Sequence, residues 1–226
     1  MSGKNGVHGP GNGLSTLENV LEGSTRTAPQ VSDVASPEAS PKGPLSIREQ
    51  IRGRRFVVVG GTGFLGKVWW AMLLHHFPEL ERIYLVVRER KHQTAQERFD
   101  AEIITSEVMT PLRARYGDGY EAFMRDKIVP IPGDVAFPFC GLPAPLRDEL
   151  RGSIDAVINA AGVVDFDPPL DQALDVNAFG VQNLIALVKD LQGAKQTKLM
   201  HTSTCFTAGY RTGFIEELDP RLKPFP

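Results

Sequence analysis

The sequence predicts an α/β fold with a doubly wound parallel sheet, in which helices cover both faces. Three observations predict it. Short continuous apolar runs, typical of strands buried on both faces, recur along the chain. Stretches of helical composition or periodicity separate these runs, as parallel strands joined by crossover helices require. A glycine cluster, GGTGFLG, follows the first run directly and opens the first long helix.

The chain divides into a tail and one domain. The first 44 of its 226 residues contain 7 Gly, 5 Pro and 6 Ser, and every aromatic residue lies at or after Phe56. This composition predicts that residues 1–44 are disordered, because they lack the side chains that build a core. Residues 45–226 have an ordinary globular composition and are numerous enough for one sizeable core. We therefore predict a Gly/Pro/Ser-rich tail followed by a single folded domain.

Charge and composition exclude several classes of protein. A net charge of −2 argues against a nucleic-acid binder, which normally carries a basic excess. The longest apolar run, residues 68–74, is far shorter than the roughly 20 residues of a membrane span. Cys140 and Cys205 form neither a disulfide framework nor a zinc pattern, and no metal site is predicted. The chain is expected to be cytoplasmic, while a peripheral membrane contact and the oligomeric state stay open.

The individual elements follow in chain order. Ser46 and Glu49 form a capping-box pattern where the ordered part of the chain is expected to begin. Apolar runs predict strands at residues 56–59, 83–87, 128–131, 156–160 and 198–201. Helices are predicted at residues 65–77, 95–115, 145–150 and 170–191. Within the second of these helices, Thr110 and Pro111 are expected to cause an interruption.

The glycine cluster has the spacing G-x-x-G-x-x-G. The first glycine permits a tight turn, the second lets the backbone approach a pyrophosphate, and the third lets the helix pack on the strand. Free N–H groups at the start of the helix favour the negative charge of phosphates. A glycine turn that binds nothing is the alternative. The predicted cofactor-binding residues of this loop are Gly60, Thr62, Gly63, Phe64, Leu65 and Gly66.

Arg88 ends the second predicted strand, 22 positions past Gly66. In dinucleotide-binding folds an acidic residue near this position binds the ribose hydroxyls, whereas an arginine accommodates a 2′-phosphate. The sequence therefore favours NADP(H), with Arg90 or Lys91 as helpers. A solvated arginine at a strand end is the alternative.

Two more strand ends carry candidate cofactor-binding residues. GDV places Asp134 and Val135 after the third strand, where the Asp134 carboxylate could accept a hydrogen bond from the adenine amino group. An aspartate that only forms a turn is the alternative. NAAG ends the fourth strand with the small residues Ala160, Ala161 and Gly162, which suit a backbone passing close to a cofactor ribose. A turn that serves only helix packing is the alternative there.

Polar residues on the last helix and the last strand are candidates for catalysis. Asn177 lies between apolar neighbours and could hold a helix kink and a water near the active site, or could be a buried amide without such a role. The fifth strand delivers Thr202, Ser203 and Thr204 to the edge of the sheet where ligands bind. A hydroxyl there could stabilise the charge that develops on a substrate carbonyl oxygen when a hydride arrives. Hydroxyls that only cap the strand are the alternative.

Taken together and in this order, the motifs resemble the NADP-binding domain of fatty acyl-CoA reductases. The resemblance rests on GGTGFLGKV, IYLVVR, GDV followed by GL, NAAG followed by VDFDPPL, DVNAFGVQNL and HTSTCFTAGYRTGFIEE. These enzymes are extended short-chain dehydrogenase/reductases, related to the male-sterility proteins and to thioester-reductase domains. The resemblance runs from about Leu45 to the last residues. It implies a Rossmann fold that is incomplete at its C-terminal end.

The resemblance implies that NADPH reduces a long-chain fatty acyl thioester of coenzyme A or of acyl carrier protein, giving an aldehyde or an alcohol. Hydride would attack the thioester carbonyl, the Thr204 hydroxyl would hold the oxyanion, and the thiol would leave. The loop glycines would hold the pyrophosphate, Arg88 the 2′-phosphate and Asp134 the adenine. Ala160 and Ala161 would face the ribose. Asn177 and Thr204 would form the catalytic set.

The sequence departs from the family pattern at two places. Cys205 stands where the family usually has alanine, but no base is identifiable beside it, so a covalent thiohemiacetal route is disfavoured. The catalytic Tyr-x-x-x-Lys of the family does not occur in the 226 residues. We therefore expect a fragment of a longer reductase, which alone reduces acyl-CoA negligibly.

Two other functions stay open on the sequence. The chain could be a non-catalytic NADP-binding module, in which the nucleotide controls contact with a partner. It could also be a sugar-nucleotide epimerase or dehydratase, because these share the glycine loop and the hydroxyl on the fifth strand. A Tyr-x-x-x-Lys in the coding frame beyond Pro226 would favour the reductase over the module.

Overall fold

The computed structural model describes residues 45–165, 167–204 and 212–215. The predicted tail 1–44 and Cys205 lie outside the described residues, so the prediction of a disordered tail stays untested. Within the described ranges, none of the helices has the length and apolarity needed to span a bilayer.

Five strands of the described residues form one sheet. They are β1 (Arg55–Val59), β2 (Arg82–Val87), β3 (Ile128–Pro132), β4 (Ala156–Asn159) and β5 (Lys198–His201). Their order is β3-β2-β1-β4-β5 and every pairing is parallel, which confirms the predicted sheet. The strand order reverses between β1 and β4, and a crevice opens at such a switch point in doubly wound folds.

Helices connect the strands on both faces of this sheet. They are α1 (Ile47–Ile51), α2 (Phe64–His76), α3 (Ala95–Arg98), α4 (Thr110–Tyr116), α5 (Tyr120–Lys127), α6 (Ala144–Leu150), α7 (Leu170–Ala173) and α8 (Gly180–Asp190). A π-helical turn at Phe99–Ile104 extends α3, and a second one at Leu174–Phe179 joins α7 to α8.

Two apolar cores lie on opposite faces of the sheet. Successive residues of β1 alternate between them, with Val58 in one core and Val57 and Val59 in the other. Trp70 of α2 is fully buried in the first core, and Leu184 of α8 is fully buried in the second. This two-sided burial explains why β1 is a continuous apolar run in the sequence.

The region between β2 and β3 differs from the prediction in two ways. The helical stretch predicted over residues 95–115 breaks at Thr105 and Ser106, before the predicted interruption. Thr110 and Pro111 instead begin α4, because proline lacks an N–H that the first helical turn does not need. Helix α5 was not predicted, although its buried residues Tyr120 and Met124 are spaced i, i+4 as a helix requires.

Asp155 joins three strands at the edge opposite to the glycine loop. Its carboxylate accepts the Arg55 N–H at 2.9 Å, pairs with Arg54 at 2.6 Å and also pairs with Lys195. Its backbone N–H donates to Arg55, and its carbonyl accepts from Lys198 of β5. Burial opposes ionisation of this carboxyl, but the hydrogen bonds from Lys195, Arg55 and Arg54 outweigh burial and lower its pKa.

Candidate functional site

A cleft of about 440 Å³ lies where the first four strands end. Residues that follow β1, β2, β3 and β4 line it, although they come from distant parts of the sequence. The structure thus brings most of the predicted cofactor-binding residues together. Those that line the cleft are Gly60, Thr62, Gly63, Arg88, Asp134, Val135, Ala160, Ala161 and Gly162.

The three loop glycines differ in what surrounds them. Gly60 has φ +78°, and a Cβ there would lie 2.2 Å from the Ala161 nitrogen, so only glycine fits. At Gly66 a Cβ would lie 2.5 Å from the Gly60 carbonyl oxygen, because the helix packs directly on the loop. At Gly63 the nearest described atom would be the Gly60 oxygen at 3.4 Å, an ordinary contact. Packing within the protein therefore accounts for Gly60 and Gly66, whereas Gly63 leaves space on the cleft side.

The start of α2 has the features of an anion site. Gly63 is its N-cap, and among the described residues no side chain caps this end. Phe64 and Leu65 are 78% and 58% exposed, while Gly66 is buried beneath the loop. Phe64, Leu65 and Gly66 are not among the described residues that line the cleft. The contribution open to Phe64 and Leu65 in binding an anion is therefore that of their backbone N–H groups at the start of the helix.

Two arginines lie at the end of β2. The Arg88 side chain is 72% exposed, and its Nη1 lies 3.9 Å from Oδ2 of Asp134. Arg98, which the sequence analysis missed, is buried, lines the same cleft and donates to the Arg88 carbonyl oxygen. Arg98 also pairs with Glu102 at 2.8 Å, and this hydrogen bond lowers the Glu102 pKa. The i, i+4 spacing of Arg98 and Glu102 was the sequence signal for this pair.

The two predicted helpers are not brought to the cleft. Arg90 pairs with Glu102 at 2.6 Å, the same carboxylate that pairs with the buried Arg98. Lys91 is exposed, and neither residue is among the described residues that line the cleft. Of the described cations at the β2 end, Arg88 is therefore the exposed one that lines the cleft, whereas the charge of Arg98 is matched by Glu102.

Asp134 lines the cleft and also forms a turn. Its Oδ1 accepts the Ala136 N–H at 3.0 Å, as in the turn-forming alternative considered above. Its Oδ2 is the oxygen that lies near Arg88. One carboxylate oxygen thus shapes the loop, and the same side chain borders the space in which an adenine would lie.

The NAAG segment is held from two sides. Buried Asn159 accepts the Ala161 N–H at 3.1 Å, which folds the segment back toward β4. Asn177 accepts the Val163 N–H at 2.9 Å and donates to the Val163 carbonyl at 3.0 Å. Asn177 lies in the π-helical turn between α7 and α8, where a helix irregularity was predicted, but it is exposed and not buried.

Thr204 lies three residues beyond the end of β5 and is exposed. Of the described residues, it is not among those that line the cleft, so its predicted catalytic role stays a prediction. Burial raises the pKa of the other cysteine, Cys140, to about 12, and this thiol is therefore inert at neutral pH.

The sheet order, the glycine loop after β1 and the cleft at the switch point define a Rossmann domain of the NAD(P)-binding class. More specifically, the chain belongs to the male sterility protein family, because the model of that family, an NAD-binding domain, matches residues 58–223. This match confirms the resemblance predicted from the motifs.

Individual relatives agree with this assignment. The chain is 33% identical over 182 residues to fatty acyl-CoA reductase 2, chloroplastic, of Arabidopsis thaliana, which covers 80% of this chain and 28% of the relative. It is also 33% identical over 183 residues to the probable fatty acyl-CoA reductase 5 of the same plant. That match covers 80% of this chain and 36% of the relative. The chain thus spans about a third of the length of these curated relatives.

Solved structures support the fold. The terminal R domain of the myxalamid PKS-NRPS pathway superposes with a TM-score of 0.52 at 27% identity, covering 68% of this chain and 35% of that one. The reductase domain of a nonribosomal peptide synthetase from Mycobacterium tuberculosis superposes with a TM-score of 0.56 at 22% identity. This superposition covers 75% of this chain and 38% of that one. The predicted Rossmann fold of the short-chain dehydrogenase type is confirmed.

Proposed function

We propose that this chain is the nucleotide-binding part of an NADPH-dependent reductase of long-chain fatty acyl thioesters. The observation that carries the cofactor choice is the exposed guanidinium of Arg88 in the same cleft as the glycine loop. A 2′-phosphate carries negative charge that this guanidinium can neutralise through charge-assisted hydrogen bonds, while the Arg98 side chain holds the Arg88 backbone. The substrate class is inferred from the names of the relatives.

The residues present fit a dinucleotide. The space at Gly63 and the uncapped start of α2 suit the pyrophosphate, because N–H groups there would otherwise face water. Asp134 and Val135 would border the adenine, and residues 160–162 of the NAAG segment would border the ribose next to the nicotinamide, since all of these residues line the cleft. When bound, the nicotinamide would supply the hydride.

On this proposal the chain's residues act at the thioester carbonyl as follows. The Thr204 hydroxyl would donate to the carbonyl oxygen and stabilise the oxyanion, as the family resemblance implies. Collapse of the intermediate would break the carbon–sulfur bond and release the thiol of coenzyme A or of acyl carrier protein, leaving an aldehyde. A second hydride, from a second NADPH, together with a proton from solvent would convert the aldehyde to the alcohol.

A non-catalytic NADP-binding module is the second candidate. One observation favours it: of the described residues, neither member of the predicted catalytic set, Asn177 or Thr204, is among those that line the cleft. The cytoplasmic location expected from composition stays a prediction for either function.

The two candidates are separated by measuring binding and turnover on the same sample. We expect calorimetry to detect NADPH binding to the 226-residue chain, and absorbance at the NADPH band to show negligible oxidation with palmitoyl-CoA. A product of the same gene that contains Tyr-x-x-x-Lys should oxidise NADPH when palmitoyl-CoA is added. If such a product binds NADPH but reduces no acyl thioester, the module is correct and the reductase is wrong.

A further inference from the structure

A left-handed turn, residues 139–141, lies beneath the Asp134 end of the cleft. Phe139 and Cys140 have φ values of +53° and +56°, and Gly141 has +69°. Residues other than glycine rarely adopt this conformation, because their Cβ approaches the following carbonyl oxygen. Two such residues in succession therefore need contacts from elsewhere in the protein to hold them.

The left-handed turn is in direct contact with the segment that carries Asp134. The Cys140 carbonyl oxygen accepts the Asp134 N–H at 2.9 Å. A Cβ at Gly133 would lie 2.6 Å from that same oxygen, so the two backbones fit closely. The position of the Cys140 carbonyl thus sets the position of the Asp134 backbone.

Arg147 of α6 contacts the left-handed turn at both of its ends. Its guanidinium lies 4.0 Å from the centre of the Phe139 ring, and its Nε donates to the Leu142 carbonyl at 3.1 Å. Its Nη1 pairs with Asp190 at the end of α8, and the side chain is only 15% exposed. One partly buried arginine therefore connects the left-handed turn to two helices.

We infer that Arg147 is a positioning residue for the nucleotide site, holding the left-handed turn so that the Cys140 carbonyl fixes Asp134 in the cleft. The inference rests on the proposed function only in taking the ligand beside Asp134 to be the adenosine end of NADPH. Cys140 acts through its backbone, which is why a buried and unreactive thiol is sufficient there.

Arg151 provides a matched control. It is an arginine at the C-terminal end of the same helix, and it pairs with the same Asp190, through Nη2 at 3.2 Å and through Nε to the carbonyl at 2.9 Å. Its partners among the described residues are Asp190 and Asp148, neither of which belongs to the left-handed turn. Substituting it removes an equivalent ion pair from α8 without touching residues 139–142.

The test compares Arg147→Met, Arg147→Lys and Arg151→Met in the full 226-residue chain. The first readout is hydrogen exchange of the Asp134 amide without ligand, relative to the Val58 amide in the central strand. Both Arg147 variants should accelerate Asp134 exchange, by about tenfold in Arg147→Met, whereas Arg151→Met should change it less than about twofold. The second readout is calorimetric affinity for adenosine 2′,5′-bisphosphate, which should weaken about tenfold in Arg147→Met, by a smaller factor in Arg147→Lys, and not in Arg151→Met.

The outcomes separate this inference from the proposed function. Unchanged Asp134 exchange in the Arg147 variants would overturn the positioning role, whatever the nucleotide affinities. If the wild-type chain binds neither NADPH nor adenosine 2′,5′-bisphosphate, the proposed function is wrong, and the exchange data still decide the role of Arg147. Should Arg147→Met fail to fold, Arg147→Lys decides, because it keeps a cation for Asp190 but loses the Nε hydrogen bond and the planar contact with Phe139.

Discussion

The side chain of Asn177 and the backbone of Val163 are joined by two hydrogen bonds, of 2.9 and 3.0 Å, one in each direction. The pair ties the π-helical turn at Leu174–Phe179 to the loop that follows the NAAG segment. Both Val163 and Val176, the neighbour of Asn177, line the cleft. A residue predicted for the catalytic set therefore has a defined structural task, which is to fix the wall of the cleft beside the NAAG segment.

Replacing Asn177 by alanine should weaken NADPH binding without unfolding the domain. Two exposed hydrogen bonds are lost, which corresponds to about 1–2 kcal/mol of binding free energy. Asn177→Asp keeps the acceptor for the Val163 N–H but loses the donor, and should fall between wild type and Asn177→Ala. Calorimetric titration with NADPH measures the effect, and exposed Gln182 replaced by alanine is the control. Equal affinities for Asn177→Ala and Gln182→Ala would contradict the assignment.

Arg88→Ala should remove most of the preference for NADPH over NADH. Losing a charge-assisted hydrogen bond to a phosphate should weaken NADPH binding about ten- to a hundredfold and leave NADH binding nearly unchanged. Arg90→Ala is the matched control, because Arg90 pairs with Glu102 outside the cleft. Competition titrations with both nucleotides give the ratio. A wild-type chain that binds the two equally would show that the arginine assignment is wrong.

Substitution of the loop glycines should separate folding from binding. Gly60→Ala places a Cβ against the Ala161 backbone at a positive φ, so we expect a loss of at least about 2 kcal/mol in the free energy of unfolding. Gly63→Ala meets nothing closer than 3.4 Å among the described residues, so stability should be kept while NADPH binding is lost. Urea denaturation and NADPH titration of both variants test this. Normal NADPH binding by a folded Gly63→Ala chain would count against a pyrophosphate site at the loop.

Asp155 should make the stability of the domain depend on pH in the acid range. Its pKa in the folded protein is lowered, so its contribution is complete above the ordinary pKa of an aspartate and is lost as the pH falls through the folded value. At neutral pH, Asp155→Asn should reduce the free energy of unfolding by about 3 kcal/mol, because Arg54 and Lys195 lose their buried partner.

The measurement is urea denaturation of wild type and Asp155→Asn at neutral and acid pH. The difference between them should shrink as the pH falls. Asp148→Asn, at a 63% exposed side chain that pairs only across one helical turn with Arg151, should change stability by less than about 1 kcal/mol. A difference that stays constant with pH would show that the carboxylate charge of Asp155 is not what stabilises the strands.

The sheet and its glycine loop could be predicted because local sequence determines them. Strands buried on both faces need continuous apolar residues, as in RFVVV and RIYLVV, and the tight turn after β1 needs Gly60. The break in the second helical region was misplaced because proline was taken as an interruption. Pro111 instead lies in the first turn of a helix. The preceding helical turn ends at Thr105 because of packing, which the local sequence pattern does not reveal.

The unpredicted parts of the site depend on tertiary contacts. Arg98 lies in a helix and would be solvated by default, but it is buried because Glu102 and the Arg88 carbonyl satisfy its guanidinium. The left-handed conformation of Phe139 and Cys140 opposes their intrinsic preference, so no local signal could indicate it. The left-handed turn is held by Arg147, which pairs with Asp190 far along the sequence, whereas Arg98 is held by a helix that folds back on the end of β2.

The contact between Gly60 and Ala161 has a consequence for how such a domain can diverge. Two strand-end loops meet there backbone against backbone, and a side chain at Gly60 would displace the segment that contains Ala161. Arg88 has no comparable packing constraint, since most of its side chain is exposed at the rim of the cleft. If Arg88 binds the 2′-phosphate as proposed, mutation at the β2 end can alter cofactor choice independently of the fold, while the two packed loops can change only together.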